Sequence, residues 1–155
     1  GHRVKTGHAI LWTSTKQSYQ PLENPPHFYG YQSLSADPSR AIALVESEKT
    51  AIIASQYFPT MDWLATGGAQ SFGKPTHPVA LLRMKPLRGR KIILFPDGDK
   101  VELWGQIARL WAQEGYTLEI NKSVLRLQEQ LQKPTADIAD ILVQLDLLQF
   151  LKKPA

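Results

Sequence analysis

The run Ala41-Ile42-Ala43-Leu44-Val45 contains no polar residue at alternate positions, and Ile92-Ile93-Leu94-Phe95 repeats that pattern further along the chain. A strand with one wet face alternates, whereas a strand covered on both faces does not, so such runs belong to a parallel sheet sandwiched between helices. Parallel neighbours need crossover connections and bring the ends of both runs to the same edge of the sheet. The first run ends at Glu46, and the second passes Pro96 and ends in Asp97-Gly98-Asp99. Three carboxylates therefore fall on the edge where open α/β sheets place their sites. They repel one another unless protonated or sharing a cation, and oxygen-only ligands favour a hard ion. The pattern predicts a metal site in which Glu46, Asp97 and Asp99 hold Mg2+ or Mn2+.

The rest of the chain fits that frame. Residues 1–40 lack helical periodicity and carry Pro21, Pro25, Pro26 and Pro38. They read as a short strand or hairpin near Ala9–Thr13 followed by an irregular arm with the aromatic cluster Phe28, Tyr29 and Tyr31, expected to be core rather than a base-stacking platform. Strands are expected at 41–46, 62–66, 90–96 and 116–120, and helices at 48–57, 77–85, 101–114, 122–132 and 135–151. This divides the chain into an N-terminal arm (1–40), an α/β core (41–121) and C-terminal helices packed on it (122–155). The last helix carries Ile138, Ile141, Leu142, Leu145 and Leu148 on one stripe and Val143, Leu147, Phe150 and Leu151 on another. A helix apolar on two sides is expected to be buried.

Composition excludes more than it assigns. A chain of 155 residues with 43% hydrophobic and 21% charged content can build one cored domain, so it is not a disordered chain. There are no cysteines, which removes disulfides and thiolate zinc sites within these residues. No apolar run reaches membrane-span length and no segment resembles a signal peptide, so a cytoplasmic protein without membrane contact is expected. The only methionines are Met61 and Met84. A further upstream region is therefore expected, with Gly1 and His2 as an added scar. The formal charge of +4 is compatible with a polyanionic partner without requiring one.

The segments Val45-Glu46-Ser47-Glu48-Lys49-Thr50-Ala51, Trp63-Leu64-Ala65-Thr66-Gly67-Gly68 and Phe95-Pro96-Asp97-Gly98-Asp99 resemble, in order and strand-end placement, the Toprim domain. That domain is shared by bacterial primases, topoisomerases and some nucleases. The likeness is closest to primase-like Toprim proteins of Bacteroidetes-type mobile elements, and it spans about residues 28–142. The resemblance implies a Toprim-like (Rossmann-like), mainly parallel sheet flanked by helices. It also implies a magnesium-dependent primase-like nucleotidyl or phosphoryl transfer on nucleic acid, chiefly DNA, with nucleotides as further ligands. Glu46 becomes a general acid/base or metal ligand, and Asp97 and Asp99 the aspartates that hold the ion. Phosphoryl transfer needs little else from a protein than cations placed between carboxylates and phosphate oxygens.

Other residues carry two readings each. Lys49, in the first turn after Glu46, could reach a phosphate or pair within the acid cluster. Gly67 and Gly68 could let backbone amides approach an anion or could simply form a tight turn. Arg88, Arg90 and Lys91 belong to the densest basic stretch and could hold a nucleic-acid backbone or be solvated surface. Arg90 opens the strand that ends near Asp97, so it lies roughly 20 Å from the acids and outside any catalytic centre. Asp137 and Asp140 resemble an Asp-Ile-Ala-Asp element of the same mobile-element proteins, and acids in a first helical turn complement the helix dipole. His2, His8, His27 and His77 have no metal-ligand spacing.

Two other functions compete. Asp97-Gly98-Asp99-Lys100-Val101 matches the Asp-x-Asp-x-Val loop of a phosphatase-like site, with Asp97 as nucleophile and Asp99 as acid/base. That site would need a lysine and an acidic pair on later strands. Ser47 and Thr50 stand where many Toprim domains carry glycine and aspartate, and the alanine-glycine pair usual in primases after the second aspartate is absent. These departures favour a binding module with a relic site.

Overall fold

The computed structural model describes residues 10–13, 18–21 and 27–152, with side chains described from 27 to 146. Strands β1 (Ile10–Thr13) and β2 (Ser18–Pro21) pair antiparallel, as a hairpin near Ala9–Thr13 requires. Strand and helix then alternate through β3 (Ile42–Val45), α1 (Glu48–Tyr57), β4 (Asp62–Ala65), α2 (Pro78–Met84), β5 (Lys91–Leu94), α3 (Val101–Gln113) and β6 (Thr117–Ile120). Helices α4 (Lys122–Gln130) and α5 (Ile138–Lys152) complete the order. The later four strands form one parallel sheet in the order β4-β3-β5-β6, with Ile42 opposite both Asp62 and Ile92 and Leu94 opposite Ile120. The result is an α/β, Rossmann-like arrangement of four parallel strands flanked by five helices.

The unalternating runs are explained by two separate cores, one on each face of the sheet. Ile42 and Leu44 point to one face, where Leu64, Ile92 and Leu94 meet Phe72, Met84, Trp104 and Trp111 from α2, α3 and the turn before α2. Ala43 and Val45 point to the other and pack with Ala51, Ala54, Trp63, Phe95, Val124, Ile138 and Ile141. The small side chains of β3 and α1 on this second face let α1 lie close, and Trp63 packs at a tilt against Phe95 with ring centroids 5.1 Å apart.

The arm before the sheet is more integrated than its sequence implies. Phe28 is buried in the first core, and Tyr29 exchanges backbone hydrogen bonds with Ala65 at 3.0 and 3.1 Å. A side chain at Gly30 would put Cβ 2.6 Å from the Trp63 carbonyl at a φ of +83°, so only glycine fits this crossing. Of the three aromatics expected in the core, Phe28 alone is there. Tyr29 is exposed, and Tyr31 stacks on His27 at 4.0 Å, because the antiparallel bridge to Ala65 turns neighbouring side chains to opposite sides. On α5 the first stripe is buried at Ile138 and Ile141, with Leu142 and Leu145 partly covered. Val143 of the second stripe is exposed, and the side chains of Leu147, Leu148, Phe150 and Leu151 lie outside the described residues.

Candidate functional site

The sheet order creates a specific crevice. From β3 the chain first adds β4 on one side, then crosses to add β5 on the other, so connections leave β3 and β5 in opposite directions. The carboxyl ends of such a strand pair form a topological switch point, where open α/β sheets bind ligands. Glu46 follows β3 and Asp97 follows β5 after a short loop, so both acids flank this crevice. Glu46 Oε1 accepts a long hydrogen bond from the Asp97 N–H at 3.4 Å.

Both acids are partly buried, and their charged forms are disfavoured. Burial pushes the Glu46 carboxyl above its ordinary value, and the Asp97 and Asp99 charges add to this. Burial likewise raises Asp97, followed by repulsion from Asp137, Asp99 and Asp140. Asp99 sits in the 3-10 turn Gly98–Lys100, exposed and ion-paired with Lys100. Among the described residues no three His, Cys, Asp or Glu side chains stand close enough together to enclose an ion. A closed protein cage for a metal is therefore not what these residues form. Glu46 and Asp97 do fit a hydrated magnesium-type ion, which takes one or two carboxylates and keeps waters that substrate phosphates later replace. Such a charge would relieve the repulsion that raises both carboxyls.

Several expected contributors have other work. Gly67 and Gly68 have positive φ, and both amides donate to the Glu46 carbonyl at 2.9 and 3.0 Å. These N–H groups fix the backbone of Glu46 and are not available to an anion, which corrects the expectation of an amide cradle. Lys49 Nζ lies 3.4 Å from Asp137 and 3.3 Å from Asp140, so it is committed to the C-terminal acids. Ser47 caps α1, accepting from the Thr50 N–H at 3.2 Å, and the Thr50 hydroxyl donates to Asp137 Oδ2 at 2.6 Å.

Asp137 and Asp140 are the functional candidates that sequence reasoning underrated. Their three-residue spacing makes a reciprocal cap, in which the Asp140 N–H donates to Asp137 Oδ1 at 2.8 Å and the Asp137 N–H donates to Asp140 Oδ2 at 3.4 Å. The helix-dipole reading therefore holds locally, yet the charges of the same two acids also raise the Asp97 carboxyl. Only tertiary packing brings them there, and spacing alone could not announce it.

The basic stretch divides. Arg90 is buried and donates to Asp62 Oδ2 at 2.6 Å, to the Arg40 carbonyl at 2.6 and 3.2 Å and to the Ser35 carbonyl at 3.4 Å. It cannot meet a nucleic-acid backbone, because its guanidinium is already used to join the arm to the sheet. Arg88 and Lys91 remain exposed at the amino edge, with local partners in the Glu114 carbonyl and the Glu119 carboxylate.

No helix among the described residues is long and apolar enough to cross a membrane. No curated protein and no solved structure matches the chain. Residues 1–98 match the family model described as Domain of unknown function (DUF6371), a span that includes Glu46, Lys49, Gly67, Gly68 and Asp97 and stops before Asp99. With most of its length covered by that match, and the switch-point acids Glu46 and Asp97 inside it, the chain belongs to the DUF6371 family.

Proposed function

We propose that the chain is a Toprim-like module that binds a divalent cation, Mg2+ or Mn2+, and acts on nucleic acid by primase-like nucleotidyl or phosphoryl transfer. The observation that carries this reading is the pairing of Glu46 with Asp97 at the switch point of the parallel sheet, 3.4 Å apart through the Asp97 amide, with both carboxyls raised. The cation would supply charge neutralisation between these acids and the phosphate oxygens. Glu46 orients and holds one side of the crevice, its backbone fixed by Gly67 and Gly68. Asp97 holds the other side, and Asp99 with Lys100 rims the opening. Thr50 stands where many Toprim domains carry aspartate. Its hydroxyl binds Asp137, so a carboxylate reaches this corner from the start of α5, which weighs against a merely relic site.

The test is primer synthesis on single-stranded DNA with the full-length protein, in the presence and absence of Mg2+ or Mn2+. Metal-dependent incorporation that disappears in Asp97→Asn and Glu46→Gln is the expected result. Metal-dependent nucleic-acid binding without incorporation would favour the binding module, and incorporation that survives both substitutions would contradict the assignment.

A further inference from the structure

On the opposite face from α1 and α5 lies a cavity of about 430 Å³, enclosed by the turn after β4, α2 and α3 and lined in part by Ser71, Lys74, His77, Arg83, Leu103 and Ile107. Among the described residues no carboxylate lines it. Its volume falls in the range of small-molecule sites, and its lining pairs cationic and hydroxyl groups with an apolar wall.

Arg83 is the unexplained group. It is partly buried, yet among the described residues it forms no ion pair, and its one hydrogen bond runs from Nη1 to the Ser71 carbonyl at 3.1 Å. Among the described residues its Nε is buried without a partner. A guanidinium in this position gives up hydration without a carboxylate in return, which natural interiors avoid unless something else satisfies the donors. Burial also lowers its pKa, as expected for an uncompensated cation. Its Cζ lies 5.6 Å from the centroid of the Phe28 ring, a cation–π contact that helps to hold the guanidinium in place.

The wall around it is equally fixed. Trp111 Nε1 donates to the Gly73 carbonyl at 3.0 Å, and Phe72 is buried against Trp104 at 5.0 Å. Gly73 has a φ of +70°, and a side chain there would meet the Ala80 Cβ at 2.7 Å. The pocket is thus formed before any ligand arrives, which lowers the cost of binding.

We propose that this cavity binds an organic phosphate of the nucleoside-phosphate class, with Arg83 as the principal phosphate ligand, Lys74 assisting, and Leu103 and Ile107 covering the apolar part. Arginine matches phosphate with two parallel donors, whereas a carboxylate ligand alone would leave the apolar wall unused. This site is separate from the acid crevice and does not rest on the reading of that crevice, since it needs no metal.

The experiment titrates the isotope-labelled chain with ATP in EDTA and follows amide shifts, with adenosine and inorganic phosphate as separate probes. Saturable ATP shifts at Ser71–Arg83 and Leu103 are expected, with weaker shifts from inorganic phosphate and none from adenosine. Arg83→Met, which keeps an unbranched apolar side chain but removes the guanidinium, should weaken ATP by roughly tenfold or more, and Lys74→Ala by less. Absence of saturable ATP shifts in the wild type, shifts confined to the surroundings of Glu46 and Asp97, or an unchanged affinity in folded Arg83→Met would overturn the proposal. If Arg83→Met does not fold, the wild-type shift map decides alone. Equal shifts from adenosine would mean that the cavity takes the apolar part only, and would also overturn it.

Discussion

Asp62 opens β4 with its carboxylate almost fully buried and receives three donors: Arg90 Nη2 at 2.6 Å, Ser35 N at 2.9 Å and Arg40 Nε at 3.0 Å. Burial alone would raise this carboxyl, but the hydrogen bonds from Arg90, Ser35 and Arg40 outweigh it and hold it below its ordinary value. A depressed folded pKa adds stability above the unfolded value, and that stability disappears as pH falls through the folded one. Acid unfolding followed by circular dichroism should therefore steepen below about pH 4, and Asp62→Asn should lack that limb. At neutral pH the same substitution leaves Arg90 buried without its carboxylate, and should cost about 3–5 kcal/mol in denaturant titrations. A loss below about 1 kcal/mol would show that Arg90 is satisfied by the carbonyls of Ser35 and Arg40 alone. Neither residue's role was legible in the sequence. Arg90 stands in a run of cations that reads as surface, and its partner lies on a different strand, brought close only by the register of β4, β3 and β5.

The acid loop and the C-terminal helices are locked together at Gly98. A Cβ there would lie 1.7 Å from the Pro134 carbonyl oxygen and 2.8 Å from its carbon, so the α4–α5 connection crosses directly over Asp97-Gly98-Asp99. Gln128, buried on α4, donates to the Ala136 carbonyl at 2.6 Å and holds that connection in place. In sequence, Asp-Gly suggests a turn that needs glycine's conformational freedom. The structure assigns the glycine to close approach instead, since its φ is not positive. Gly98→Ala must displace backbone rather than a side chain, and should cost about 1–3 kcal/mol or more in thermal or denaturant unfolding. An unchanged midpoint would mean that the α4–α5 connection yields freely. The helices themselves were readable because apolar spacing and Pro134 mark them. Helix α5 starts at Ile138 rather than near 135, since the residues before it run across the acid loop and Asp137 caps from outside.

At the scale of the molecule, the sheet separates charge. Glu46, Asp97 and Asp99 lie at the carboxyl edge, and Arg88 and Lys91 lie at the amino edge, where β5 begins. On the proposed reading, nucleic acid would meet the chain in two separable places, the acid crevice and the amino edge. Arg88→Ala/Lys91→Ala, leaving Arg90 intact, should weaken metal-independent DNA binding and reduce its salt slope by roughly one for each phosphate no longer neutralised, as read by fluorescence anisotropy. An unchanged slope would assign both cations to local pairing with Glu119 and the Glu114 carbonyl. The parallel sheet and its acid edge were legible because unalternating apolar runs admit few architectures. The metal geometry was less so, because run ends locate a side chain only to within a loop. Asp99 was read beside Asp97 from spacing, yet the turn Gly98–Lys100 carries it outward to Lys100.

Central to the proposed chemistry is a cation shared by Glu46 and Asp97 at the switch point. Manganese titration of the wild type, Glu46→Gln and Asp97→Asn, followed by electron paramagnetic resonance, tests it directly. The two variants should melt no lower than the wild type, because each removes a charge that the folded state disfavours. Saturable binding by the wild type, weakened by about tenfold or more in each variant, is the predicted result. Equal manganese affinity in all three folded proteins would contradict the site.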